Sequence, residues 1–174
     1  SEMCIRDRWH AARLGAGRVL LVDRGGIAEG TSSQSSSILR THYSVKENVE
    51  LARRSWTAFT GFRDYLGDDE ADCGLVRCGY LIVGADDARG EAVRASLAQQ
   101  RAMGIRADEI DAAQARELLP LLRTDGLAVF GHEPEAGYAD AYLTATAFAR
   151  AARRLGVEIR QGLRVTGLVT TGSR

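Results

Sequence analysis

The chain has 174 residues, 45% hydrophobic and 26% charged, with 23 basic against 23 acidic side chains and a formal net charge of zero. That is the composition of a folded globular protein, and it excludes collagen-like and disordered classes. No apolar run approaches the ~20 residues that span a bilayer, and the balanced charge, with a pI near 6.8, argues against a nucleic-acid-binding surface.

Residues 1–8 carry neither a cap signal nor a hydrophobic period and read as a foreign leader. Trp9 to Leu14 reads as the end of a helix, stopped at Gly15-Ala16-Gly17 because glycine adopts the left-handed C′ conformation cheaply. Val19-Leu20-Leu21-Val22 is an unalternating apolar run, which suits a strand covered on both faces. It is too short for the core of a secretory signal. With three cysteines, Cys4, Cys73 and Cys78, which cannot all pair, the reading is of a cytoplasmic protein without a structural metal site.

Asp23 closes this strand, Arg24-Gly25-Gly26 turns the chain, and Gly30 to Ser37 is a small polar loop. Val45, Val49, Ala52, Trp56, Phe59 and Leu66 share one helical face across 45–66. Strands are expected at 75–83, 105–110 and 127–130, and helices at 87–103 and after Asp111, whose Gln114 completes a capping box. The second of these ends before Pro120. A helix over 141–155 is capped by Gly156, and strands follow at 157–160 and 165–169. No internal repeat is present. This order predicts an α/β nucleotide-binding core, formed by 9–66 and 140–174, interrupted by a more β-rich substrate-domain segment, 67–139.

Asp23 is the first candidate for chemistry. A carboxylate at the end of the second strand of a dinucleotide-binding unit accepts hydrogen bonds from ribose hydroxyls. The glycine fingerprint that should precede it by roughly 20 residues is missing from this sequence, as is the first strand. An acid that merely ends a strand in solvent is the competing reading.

The stretch Asp23-Arg24-Gly25-Gly26-Ile27-Ala28-Glu29-Gly30-Thr31-Ser32-Ser33-Gln34-Ser35-Ser36-Ser37-Ile38-Leu39-Arg40 resembles the FAD-dependent D-amino acid oxidase and sarcosine oxidase (glycine oxidase-like) family. Glu135 to Asp140 leading into a helix, Gly156 to Ile159 and Val165 to Leu168 resemble it further. The likeness covers 9–174 and corresponds to the N-terminal part of that family.

The resemblance implies a partial Rossmann-like FAD-binding domain with an inserted α+β substrate domain. It implies that Asp23 binds the adenosine ribose and that Arg24 lies against adenine. Gly30, Thr31, Ser32 and Ser33 would meet the pyrophosphate or the flavin edge, and the backbone of Val165 would contact adenine. Arg40 would face the substrate carboxylate on the flavin's reactive side, with His42 and Tyr43 lining the same pocket and His42 as a catalytic candidate. Some relatives attach FAD through a histidine where Gln34 stands here, so the cofactor is expected to be non-covalent at this segment. Ala141 replaces the family's usual proline.

The implied reaction is oxidation of the C–N bond of an amine or amino acid by hydride transfer to FAD, with a small-molecule substrate as partner. Oxidation of a 2-hydroxy acid or glycerol phosphate is the alternative. A third expectation is that this chain, without the fingerprint, is an inactive fragment that neither binds FAD tightly nor turns over.

Overall fold

The computed structural model describes residues 2–169, with side chains from Ile5 onward. The chain divides into two compact units: 1–37 with 61–74 and 139–174, and 38–60 with 75–138. The segment 38–60, grouped with the first part by sequence, thus clusters with 75–138.

In the first unit, α1 (Glu2–Arg13) leads to β1 (Leu20–Val22). Residues read from sequence as a foreign leader instead begin this helix, in which Ile5 and Trp9 are buried. Gly15 and Gly17, at φ +77° and +71°, end it as expected. β1 lies parallel to β7 (Glu158–Arg160), Leu21 opposite Ile159. A single 3₁₀ turn spans Thr31–Gln34, and α3 (Phe62–Leu66) and α6 (Ala141–Arg154) complete the unit.

An aromatic cluster ties the three α-helices together. Trp9 packs edge-on against Phe148 at 5.5 Å between ring centroids and tilts against Tyr65 at 5.2 Å, while Phe62 meets Phe148 at 5.7 Å. The small buried side chains of α6, Ala145, Ala147, Ala149, Ala151 and Ala152, allow close approach along much of its circumference. Asp140 caps α6 by accepting from Leu143 N at 2.8 Å, so the helix starts at Ala141 without the proline.

A carboxylate cross-link supports the packing. The buried Asp68 accepts from Arg150 at 2.7 Å and from Arg154 at 2.7 Å. Burial works to raise its pKa, but the Arg154 hydrogen bond, the Glu70 amide and Arg150 more than offset that, and the carboxyl is held below its usual range.

The second unit is built on an antiparallel sheet of β3 (Tyr80–Gly84), β5 (Val129–Glu133) and β4 (Asp108–Ile110), in the order β3-β5-β4. α4 (Asp87–Ala102) lies against it, and α2 (Lys46–Thr60) and α5 (Ala112–Leu118) are the remaining helices of the unit. Val49, Val93, Leu97, Ile105, Ala107 and Val129 form its core. The helix expected over 45–66 is broken at Gly61, whose φ of −110° and ψ of 40° leave the helical region. α4 crosses β3 and β5 closely at Gly90, where a Cβ would sit 2.7 Å from Val129 Cγ2. Asp111 and Gln114 form the expected capping box of α5.

Two short strands, β2 (Ile38–Leu39) and β6 (Gly137–Tyr138), pair antiparallel. Gly137 is required there, since a Cβ would collide with the Val76 carbonyl. The strand expected at 165–169 is not formed: Val165, Leu168 and Val169 are exposed, and no ladder partner lies beside them among the described residues. A lone extended segment leaves its backbone groups to water, so it gains nothing from strand geometry.

Candidate functional site

The first unit carries an open cavity of about 530 Å³ at the end of β1, lined by Asp23, Arg24, Gly25, Gly26, Gly30 and Thr31 among others. Ladder bonds deliver Asp23 there. Its N–H donates to Arg160 O at 2.9 Å, and its carbonyl accepts from Leu163 N at 2.9 Å. The carboxylate turns back over the loop, Oδ1 accepting from Gly25 N at 3.0 Å. Gln161 Oε1 accepts from Ile27 N at 3.0 Å and pins the next turn. Ala28, buried at φ +65°, adopts a left-handed conformation that costs a non-glycine residue about 1–2 kcal/mol.

Glu29 folds over the glycine turn. Its Oε2 accepts from Gly26 N at 2.6 Å, and a Cβ on Gly26 would lie 2.6 Å from its Oε1. A side chain at position 26 would displace that carboxylate from the amide. The Gly26 amide is thereby already occupied by an anion of the chain itself, a feature the sequence reading missed.

Gly30 and Thr31 reach the cavity wall, whereas Ser33 lines an adjoining space of about 670 Å³ and donates its hydroxyl to Gly30 O at 2.8 Å. The carbonyl of Ser32 accepts from Ser35 N at 3.0 Å, closing the 3₁₀ turn. Val165 is not among the cavity-lining residues; the strand its role requires is absent.

The second unit gathers the other candidates. Arg40 is half-buried and donates from Nη1 to the Tyr80 hydroxyl at 2.8 Å. Its guanidinium carbon lies 5.2 Å from the Tyr80 ring centre and 5.5 Å from that of Tyr43. Burial acts to lower its pKa, but Tyr80 and Tyr43 outweigh it and the net shift is upward. Arg40 makes no ion pair among the described residues.

His42, expected as a catalytic group, has both ring nitrogens directed at protein groups. Nε2 lies 2.8 Å from Ser96 Oγ and Nδ1 lies 3.4 Å from Glu133 Oε2. Glu133 is fully buried and accepts from Thr41 N at 2.9 Å and from the Thr41 hydroxyl. Tyr80, Ser96 and Glu133 were not found from sequence. The one available signal was a charged residue prolonging the apolar strand at Val129-Phe130.

The donor set around Asp23 fits the sugar-and-base end of an adenine dinucleotide. A carboxylate is placed to accept ribose hydroxyls, a guanidinium stands beside it for π-stacking, and space is open between them. With Glu29 across Gly26, this turn is poorly suited to a pyrophosphate.

The profile of the FAD dependent oxidoreductase (DAO) family matches residues 9–174. The chain is 25% identical to mitochondrial sarcosine dehydrogenase of Mus musculus over 92% of its own length and 17% of that protein. It is 26% identical to sarcosine oxidase subunit beta of Arthrobacter sp, over 92% of its length and 40% of that subunit. It therefore spans well under half of these curated relatives. Among solved structures, L-proline dehydrogenase from P. horikoshii superposes with a TM-score of 0.84 at 22% identity, covering 95% of this chain and 42% of that one. Glycine oxidase from Bacillus cereus does so with a TM-score of 0.81 at 21% identity, covering 96% and 45%. These likenesses establish the α/β fold, and the profile match across nearly the whole chain establishes that it belongs to the FAD dependent oxidoreductase family, whose cofactor is FAD.

Proposed function

We propose that this chain forms part of an enzyme that oxidises the C–N bond of an amine or amino acid, with Asp23 and Arg24 holding the adenosine end of FAD and Arg40 receiving the substrate carboxylate. FAD supplies the redox step when bound, taking the hydride from the carbon next to the amine nitrogen. The chain's own residues bind and orient. Asp23 accepts the ribose hydroxyls, Arg24 lies along the adenine face, and the Gly30–Ser33 backbone follows the cofactor. Non-covalent binding is supported by Gln34, which cannot form the histidine link.

The observation that carries the substrate reading is the state of Arg40. Its charge is sandwiched between two phenol rings, one N–H is spent on Tyr80, and no carboxylate of the described residues neutralises it. A guanidinium pairs with a carboxylate through two parallel hydrogen bonds. Tyr43 and Tyr80 limit its swing and shape the space beside it. His42 is an anchored side chain in this scheme and not a proton acceptor.

A titration with N-methylglycine, followed on the Arg40 Nε–H NMR signal in the wild type and on the backbone amide signals of residues 39–43 in wild type and variant alike, tests this reading. Binding that shifts these signals and weakens about 10- to 100-fold in Arg40→Ala, the loss of a charge-assisted hydrogen bond or two, supports it. Response to lactate but not to N-methylglycine would favour a 2-hydroxy acid instead, and response to neither would remove Arg40 from the substrate site.

A further inference from the structure

We infer that Glu133 is a positioning residue for Arg40, acting through Thr41 and by dictating which nitrogen of His42 carries the proton. The inference rests on the proposed substrate role only for the use made of Arg40; the geometry stands apart from it.

Glu133 ends β5 with no exposure to solvent. One oxygen, Oε1, takes both donors of Thr41, the backbone N–H at 2.9 Å and the hydroxyl. Thr41 is itself 2% exposed, so this pair of hydrogen bonds holds the backbone directly after Arg40 to the central strand of the sheet. The other oxygen, Oε2, and His42 Nδ1 are both buried and neither makes a hydrogen bond, yet they face each other at 3.4 Å.

An ionised carboxylate only accepts. A buried acceptor left without a donor is costly, so Nδ1 must bring the hydrogen, and a small turn of the ring closes the bond. A neutral imidazole with its proton on Nδ1 has a bare Nε2. That nitrogen then accepts from the Ser96 hydroxyl, 2.8 Å away on α4. The file Ser96–His42–Glu133 thus runs in one direction, with Thr41 on the second carboxylate oxygen. Residues 41 and 42 are clamped between α4 and β5, and Arg40, one residue earlier, is presented to Tyr80 and Tyr43 from a fixed backbone.

Glu133→Gln separates orientation from mere filling of space. The amide oxygen must stay with the two Thr41 donors, which turns the amide NH₂ toward His42. Nδ1 then has to accept, and the proton moves to Nε2. Long-range ¹H–¹⁵N NMR of the full 174-residue chain at alkaline pH reads this directly. We expect Nδ1 protonated in the wild type, Nε2 protonated in Glu133→Gln, and Nδ1 still protonated in Ser96→Ala. In Glu133→Ala the Arg40 Nε–H signal should move to the position of a free arginine; if that chain does not fold, Thr41→Val should move it part of the way. Nδ1 found unprotonated in the wild type, as it would be if Glu133 were the donor, overturns the inference. So does an unchanged tautomer in Glu133→Gln, or an Arg40 signal indifferent to residues 133 and 41. None of these measurements uses substrate, so failure of N-methylglycine to bind would sink the functional reading alone.

Discussion

Asp23, Glu29 and Arg40 owe their behaviour to what each already bonds. Asp23 accepts from the Gly25 amide and borders open space. Glu29 spends its carboxylate on the Gly26 amide. Removing it in Glu29→Ala frees that amide and takes a negative charge out of the cavity, so ADP should bind several-fold more tightly to the variant in an isothermal or NMR titration. Weaker binding would mean that Glu29 contacts the nucleotide favourably. Arg40→Lys is not a conservative change, because a compact ammonium loses both the planar fork and the stacking between Tyr43 and Tyr80. It should recover little of the carboxylate binding lost in Arg40→Ala, measured by N-methylglycine titration on the backbone amide signals of residues 39–43.

At the scale of elements, Asp68 is where α6 depends most on a charge. Replacing it in Asp68→Asn leaves Arg150 and Arg154 without their carboxylate; with both guanidinium groups more than 40% exposed, the cost should be about 1–2 kcal/mol. Because the folded carboxyl titrates below its unfolded value of 3.8, the unfolded chain takes up the proton first. The stabilisation is therefore fully present above about pH 5 and fades as the pH falls through 4 and below. Urea unfolding of wild type and Asp68→Asn from pH 7 to pH 3 should show the two curves converging on the acid side; a constant gap would contradict the assignment. Asp111→Ala should cost about 1 kcal/mol through loss of the capping box, read in the same unfolding experiment.

These elements also show why some of the molecule was legible in sequence and some was not. The capping box of α5, the glycine stop of α1, the strand ending at Asp23 and the start of α6 at Asp140 are local signals and stand in the structure where the residues place them. The break at Gly61 and the missing strand at 165–169 depend on partners distant in sequence, which no local period encodes. The same holds for the clamp on Thr41 and His42. Glu133 lies 92 residues from Thr41, and a single charged residue at the end of an apolar strand does not announce what it will bond. The candidate residues of the Gly30–Ser33 loop were found through family resemblance, whereas the occupation of the Gly26 amide by Glu29 needed coordinates.

For the whole molecule, the family and the α/β fold are established, and the chain covers 42–45% of the solved relatives L-proline dehydrogenase and glycine oxidase. What the account adds is a division of labour. In the proposed scheme one compact unit would offer Asp23 and Arg24 to the nucleotide, and the other would offer Arg40, which no described carboxylate neutralises, to the substrate. With Glu29 lying across Gly26, FAD should be held chiefly at its adenosine end and more weakly than micromolar. The decisive measurement is an amide NMR titration of the 174-residue protein with FAD, repeated on Asp23→Asn. The account predicts saturable shifts at Gly25, Gly26, Ile27 and Thr31 that ADP-ribose reproduces and that weaken at least tenfold in the variant. Shifts confined to other residues, or identical affinity in wild type and Asp23→Asn, would contradict it.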